Sequence, residues 1–126
     1  MTGAGALAVG VGAALGAWLR WALNVALNTV VPDLPLGTLS ANLIGGYLIG
    51  VAVALFEAHG HLSPELRLFV VTGFLGGLTT FSAFSGEAVA LLMSARYGWA
   101  ALHIGSHLIG SIALTILGIW TVKALA

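Results

Sequence analysis

The sequence predicts an all-α membrane protein with four transmembrane helices, the third broken at the midplane. Three observations lead there. Of the 126 residues, 60% are hydrophobic and 6% charged, and the mean hydropathy is +1.08, a balance no soluble domain of this length needs to fill its core. Each crossing of a hydrocarbon layer about 30 Å thick takes roughly 20 apolar residues, so residues 1–126 read as one transmembrane domain with four crossings and little else. Finally, the stretch GFLGGLTTFSAF, residues 73–84, sets glycines and hydroxyl residues inside a run otherwise suited to lipid.

Span 1 covers about 5–28. Its segment GALAVGVGAALGAWL lacks a basic start and runs past signal-peptide length, so it reads as a retained helix. It stops before the breakers Pro32, Asp33, Leu34 and Pro35. Span 2 covers about 36–57. Ser63, Pro64 and Glu65 then supply a hydroxyl cap, a first-turn proline and an acid at the positive dipole end for span 3, about 64–93. Arg96, Tyr97, Gly98 and Trp99 make a joint at interface depth before span 4, about 99–123. The pairs Gly12/Gly16, Gly46/Gly50 and Ser106/Gly110 have the spacing that lets helix backbones approach closely, although glycine is common in membrane helices in general.

No cysteine and a net charge of zero exclude a disulfide framework, a thiolate metal site and a basic surface for nucleic acid. No nucleophile with a base and an orienting partner can be assembled, which argues against an enzyme. Four short-looped spans place Arg67 and Lys123 on one membrane face and Arg20 and Arg96 toward the other. Without a basic bias the chain has no preferred orientation, unless other signals fix one, and dual topology follows. Two oppositely inserted copies would form an antiparallel homodimer about an axis in the membrane plane.

Span 3 centres near Leu78, between Gly76-Gly77 and Thr79-Thr80, so the interruption is expected at the midplane. Non-helical backbone survives there only inside protein or against a wet cavity. In an inverted dimer two such breaks would meet and offer carbonyls to one hard, alkali-type cation; a flexible glycine-rich packing site is the alternative. Phe81 and Phe84, at i and i+3, project to one side. Such a pair serves apolar packing, yet ring edges also carry partial positive charge and could receive a small anion weakly. Asn42, one turn after Thr38, adds a neutral amide at membrane depth that could face the anion or join helices by hydrogen bonding.

In span 4, His103, His107, Ser111 and Thr115 recur every fourth residue as a polar stripe that should face protein or water, with Ser111 and Thr115 expected along the pore. Two histidines without a nearby third ligand make a poor metal site. Glu87, one turn beyond Phe84, suits a pore vestibule or a pairing with an arginine.

The segments GTLSANLIGGYLIG, residues 37–50, and VTGFLGGLTTFSAFSGE, residues 71–87, together with GAWLRW around Arg20, resemble the Fluc fluoride channels, also called the CrcB family. The resemblance covers nearly the whole chain, specific in spans 2 and 3 and loose in span 4. It implies a dual-topology antiparallel dimer with two parallel fluoride pores and a sodium ion at its centre. Carried over by position, Asn42 is the pore-facing amide and Phe81 and Phe84 are the ring edges that meet fluoride. Gly76 and Thr79 offer backbone carbonyls to sodium, Ser82 belongs to a hydroxyl track with Thr80 close to it, and Arg20 is the usual basic residue of the first span. The chain departs at Ala83, where the family has TTFSTF, and at His103 and His107, where tyrosine and a small residue are common.

These readings converge on a passive fluoride channel in a bacterial inner membrane that lowers cytoplasmic fluoride. The pore would replace water around a strongly hydrated ion by many modest donors. A proton-coupled four-helix exporter is the alternative, but it needs a carboxylate deep in a helix, and Glu57, Glu65 and Glu87 lie toward helix ends or mouths. A packing subunit of a larger complex is a further one.

Overall fold

A computed structural model describes residues 1–126. Thr2 starts α1 (Gly3–Leu27), its hydroxyl accepting from the Gly5 N–H at 2.9 Å. α2 (Leu36–Ala58) begins after Pro35, which cannot cap with a side chain. Asn28, just past α1, does it instead: its Oδ1 accepts from the Gly37 and Thr38 N–H groups at 2.8 and 3.2 Å. The connection between the first two spans is therefore closed by the first donors of α2.

Ser63 caps α3 as its position suggests, accepting from the Leu66 N–H at 3.1 Å, with Pro64 in the first turn. α3 begins at Pro64–Arg67, widens into a π-helical stretch over Leu68–Leu75, and closes with the α turn Gly76–Leu78. α4 (Phe81–Met93) completes the third span and α5 (Tyr97–Leu125) makes the fourth. The segments Gly3–Leu27, Leu36–Ala58, Pro64–Met93 and Tyr97–Leu125 are each long and apolar enough to cross a membrane.

The third span is interrupted, but not at its glycines. Gly76 keeps helical angles (φ −62°, ψ −37°), whereas Thr79 (φ −86°, ψ 152°) and Thr80 (φ −148°, ψ 114°) are extended. β-Branched threonines tolerate extended backbone, and their hydroxyls reconnect what the break opens. Thr79 Oγ1 donates to the Leu75 carbonyl at 2.8 Å and finishes α3, while Thr80 Oγ1 accepts from the Ala83 N–H at 3.1 Å and starts α4.

Glycines set the helix contacts. A Cβ on Gly12 would lie 2.5 Å from the Phe69 carbonyl and 2.9 Å from the Phe74 nitrogen, and Gly77 meets the backbone of Ala13. Thus α1 lies directly on the widened stretch of α3. α2 packs most extensively on α5, where Gly46 and Gly50 face the backbone of Ser111 and Thr115 and Gly118 faces Val51. Ser106 and Gly110 take little part in that backbone contact: the Ser106 hydroxyl donates to its own helix at His103, and Gly110 faces the side chain of Leu43. At the centre, Ala41, Leu75 and Leu78 form a small buried core, while Leu7, Trp18, Trp21, Ile109 and Trp120 project outward, as lipid contact requires.

Candidate functional site

The break in the third span sets two helix ends back to back, the carbonyl end of α3 and the N–H end of α4. These ends carry partial negative and partial positive charge respectively. Arg20 in α1 reaches the first, its Nε donating to the Gly77 carbonyl at 3.0 Å. A guanidinium there satisfies a carbonyl that has lost its helical partner and complements the dipole.

Asn42 in α2 pairs both backbone groups of Thr80. Its Nδ2 donates to the Thr80 carbonyl at 3.0 Å and its Oδ1 accepts from the Thr80 N–H at 2.8 Å. Because one edge of the amide must accept and the other donate, this pair fixes which way Asn42 points. Its second amide hydrogen faces His107 Nδ1, with 3.0 Å between the nitrogens. That ring nitrogen therefore accepts, and neutral His107 carries its proton on Nε2. In this arrangement Asn42 performs the helix-joining role, both of its donors being engaged.

The rings continue from there. Phe84 lies 4.6 Å from His107 and 5.2 Å from His103 between centroids, and Phe81 meets Phe84 edge-on at 5.5 Å. The two phenylalanines differ in setting: Phe84 is partly covered, whereas Phe81 is 80% exposed. A cavity of about 710 Å³ joins Asn42, Thr80, Phe81, Phe84, His107 and Ser111. Thr115 also borders it, but its hydroxyl donates to the Gly46 and Ser111 carbonyls at 2.8 and 2.9 Å. Ser82 is exposed beside Thr80, their hydroxyl oxygens 3.3 Å apart.

Glu87 does not pair with an arginine. Its Oε2 accepts from the Thr38 hydroxyl at 2.7 Å, and its Oε1 lies 3.7 Å from His103 Nε2. His103 is wholly buried, and its Nε2 is 3.2 Å from the Phe84 carbonyl. Sequence reasoning missed this convergence; the only trace of it was that Thr38, Glu87 and His103 are each polar residues within apolar spans.

The carbonyls of Gly76 and Thr79 lose their helical donors at the break. The Gly76 carbonyl would ordinarily accept from the Thr80 N–H and the Thr79 carbonyl from the Ala83 N–H. Those donors instead go to Asn42 Oδ1 and Thr80 Oγ1. Both oxygens are thus released at the carbonyl end of α3, and Gly76 is exposed. Hard carbonyl oxygens of this kind fit an alkali-type ion.

Four crossings, a reconnected break at their middle and polar groups converging on a cavity beside it define an ion-handling membrane protein of the broken-helix class. Residues 7–119 match the family described as CrcB-like protein, Camphor Resistance (CrcB), and the chain belongs to that family. Over 98% of both chains it is 65% identical to a protein of Ralstonia pickettii named fluoride-specific ion channel FluC. Relatives of the same name are similar to it in Cupriavidus metallidurans (62% identical over 97% of both chains) and Nitrosospira multiformis (61% identical over 94% of this chain and 93% of the relative).

Proposed function

We propose that this chain is a fluoride channel that lets accumulated fluoride leave the cytoplasm passively. The observation that carries the reading is the 65% identity, extending across 98% of both chains, to a relative named a fluoride-specific ion channel. The physical setting agrees. Fluoride holds its water strongly, so a pore must offer many modest contacts in exchange and none strong enough to trap it. Phe81 and Phe84 offer ring edges, Ser82, Thr80 and Ser111 offer hydroxyls, and Asn42 offers an amide hydrogen when it lets go of His107. Thr115 borders the same cavity along α5 with its hydroxyl engaged by the Gly46 and Ser111 carbonyls.

The working unit is an antiparallel homodimer with opposite insertion of its copies. Supporting this are the balanced basic residues and the exposure of Gly76, whose freed carbonyl cannot face hydrocarbon without several kcal/mol of cost. A second copy covers it and doubles the carbonyl set from Gly76 and Thr79, giving sodium a central structural site. When bound, sodium neutralises the facing carbonyl ends. The membrane is the bacterial inner membrane, which the chain crosses several times.

The deciding experiment is ion efflux from liposomes holding only the purified chain. Fluoride leaves and chloride stays; equal permeability to both, or no fluoride flux, rejects the proposal.

A further inference from the structure

We infer that Glu87, His103 and His107 form a binding site for a divalent transition-metal ion, and that an ion held there closes the fluoride path. The histidine pair alone lacked a third ligand, and the fold supplies it from α4. One candidate ligand atom from each residue lies within 4.8 Å of the others. His103 is wholly buried and His107 is 4% exposed. Glu87 Oε1, His103 Nδ1 and His107 Nε2 are all buried without a hydrogen-bond partner. Each of the three converging residues thus carries a buried polar atom without a partner, and since buried polar groups are nearly always paired the group calls for an occupant.

The donor set selects the occupant. Two imidazoles and one carboxylate suit zinc, cobalt, nickel or copper, whereas sodium and magnesium favour all-oxygen shells. Glu87 is already oriented: Thr38 holds Oε2 at 2.7 Å and leaves Oε1 unpartnered. His107 borders the cavity, which supplies a route for the ion.

Binding carries a consequence for permeation, and that part rests on the fluoride-channel reading. His107 has Nε2 unpartnered and Nδ1 engaged with Asn42. To ligate through Nε2, its neutral ring must move the proton from Nε2 to Nδ1, with no net proton released. The new Nδ1–H then faces the Asn42 amide hydrogen, so Asn42 leaves His107 and its freed hydrogen holds the anion beside the bound ion. A divalent charge beside Phe84 also holds the anion in place, which conduction does not permit.

The test uses the purified full chain and Co²⁺ as probe, so it can succeed or fail whatever the permeant ion is. Titration should produce the visible absorption of a nitrogen- and oxygen-ligated Co²⁺. Glu87→Gln, which keeps an acceptor for Thr38, and His103→Gln should each weaken binding by about 100-fold or more, since even supporting residues behind a metal ligand carry roughly 10- to 100-fold. The double variant His59→Ala/His61→Ala, in the distant exposed loop, should bind as the parent does. No absorption in the parent chain, unchanged affinity in Glu87→Gln and His103→Gln, or loss in the loop variant overturns the site. On the parent chain in liposomes, Zn²⁺ should slow fluoride efflux and a chelator restore it. Undiminished efflux at saturating Zn²⁺ overturns the closure while leaving fluoride conduction standing.

Discussion

Asn42 and Thr80 exchange two hydrogen bonds, the side-chain amide of one matching the backbone amide of the other at 3.0 and 2.8 Å. A side chain on α2 thus replaces the helical ladder that the third span gives up at its break. The extended Thr80 therefore keeps both its own peptide groups paired at membrane depth, while the Gly76 and Thr79 carbonyls are left without their helical donors.

Asn42→Asp removes both amide hydrogens and sets carboxylate oxygens against the Thr80 carbonyl and His107 Nδ1. The amide donor is lost and a like charge replaces it; a hydrogen bond to a charged group is worth about 1.5–3 kcal/mol, so on the channel reading fluoride efflux should fall about tenfold or more. The variant should still elute from gel filtration with the parent chain. Parent-like efflux would remove Asn42 from the pathway.

Phe81 is 80% exposed on the single chain, so Phe81→Ile should leave its stability within about 0.5 kcal/mol. The ring edge is lost nonetheless. Fluoride efflux, followed with an ion-selective electrode, should drop at least about tenfold on the reading that ring edges contact the ion; unchanged efflux would reduce Phe81 to a packing residue.

Sodium held between two copies by the Gly76 and Thr79 carbonyls is buried and should leave slowly. Replacing it on both sides with a large organic cation should depress efflux over prolonged incubation rather than at once. Full activity after long depletion would argue that those carbonyls face no cation.

Gly12→Val presses a branched side chain into the backbone of Phe69 and Phe74, where no side chain can rotate aside. Overpacking of this kind costs about 1–3 kcal/mol. Thermal unfolding in detergent should show the loss; an unshifted midpoint would mean that α1 does not rest on α3 as described.

Ala95 has φ 58°, in the left-handed region, at the end of α4. The Arg96 N–H reaches the Leu91 carbonyl at 2.9 Å and the Ala95 N–H the Leu92 carbonyl at 3.1 Å, a helix ending usually built on glycine. Ala95→Gly should raise stability by roughly 0.5–1 kcal/mol, the relief of the left-handed strain less the entropy of glycine. A lowered unfolding midpoint would contradict that geometry.

Composition and spacing along the chain determined that there are four spans, where their turns fall, that the third is interrupted near its middle and that Ser63 begins it. These are local matters, decided by how many apolar residues lipid demands and by which side chains cap or break a helix. The same reading placed the interruption among glycines as well as threonines, because glycine alone looks like a breaker. Only the packing of α1 on α3 reveals that Gly76 and Gly77 stay helical and that Gly77 serves close approach, leaving the break to Thr79 and Thr80. Tertiary structure alone also decided that Arg20 caps α3, that Asn42 points at Thr80 and thereby sets the proton on His107, and that Glu87 reaches Thr38 and His103. The partners in those contacts lie on different spans, and no periodicity within one helix carries the rotation and depth at which it meets another.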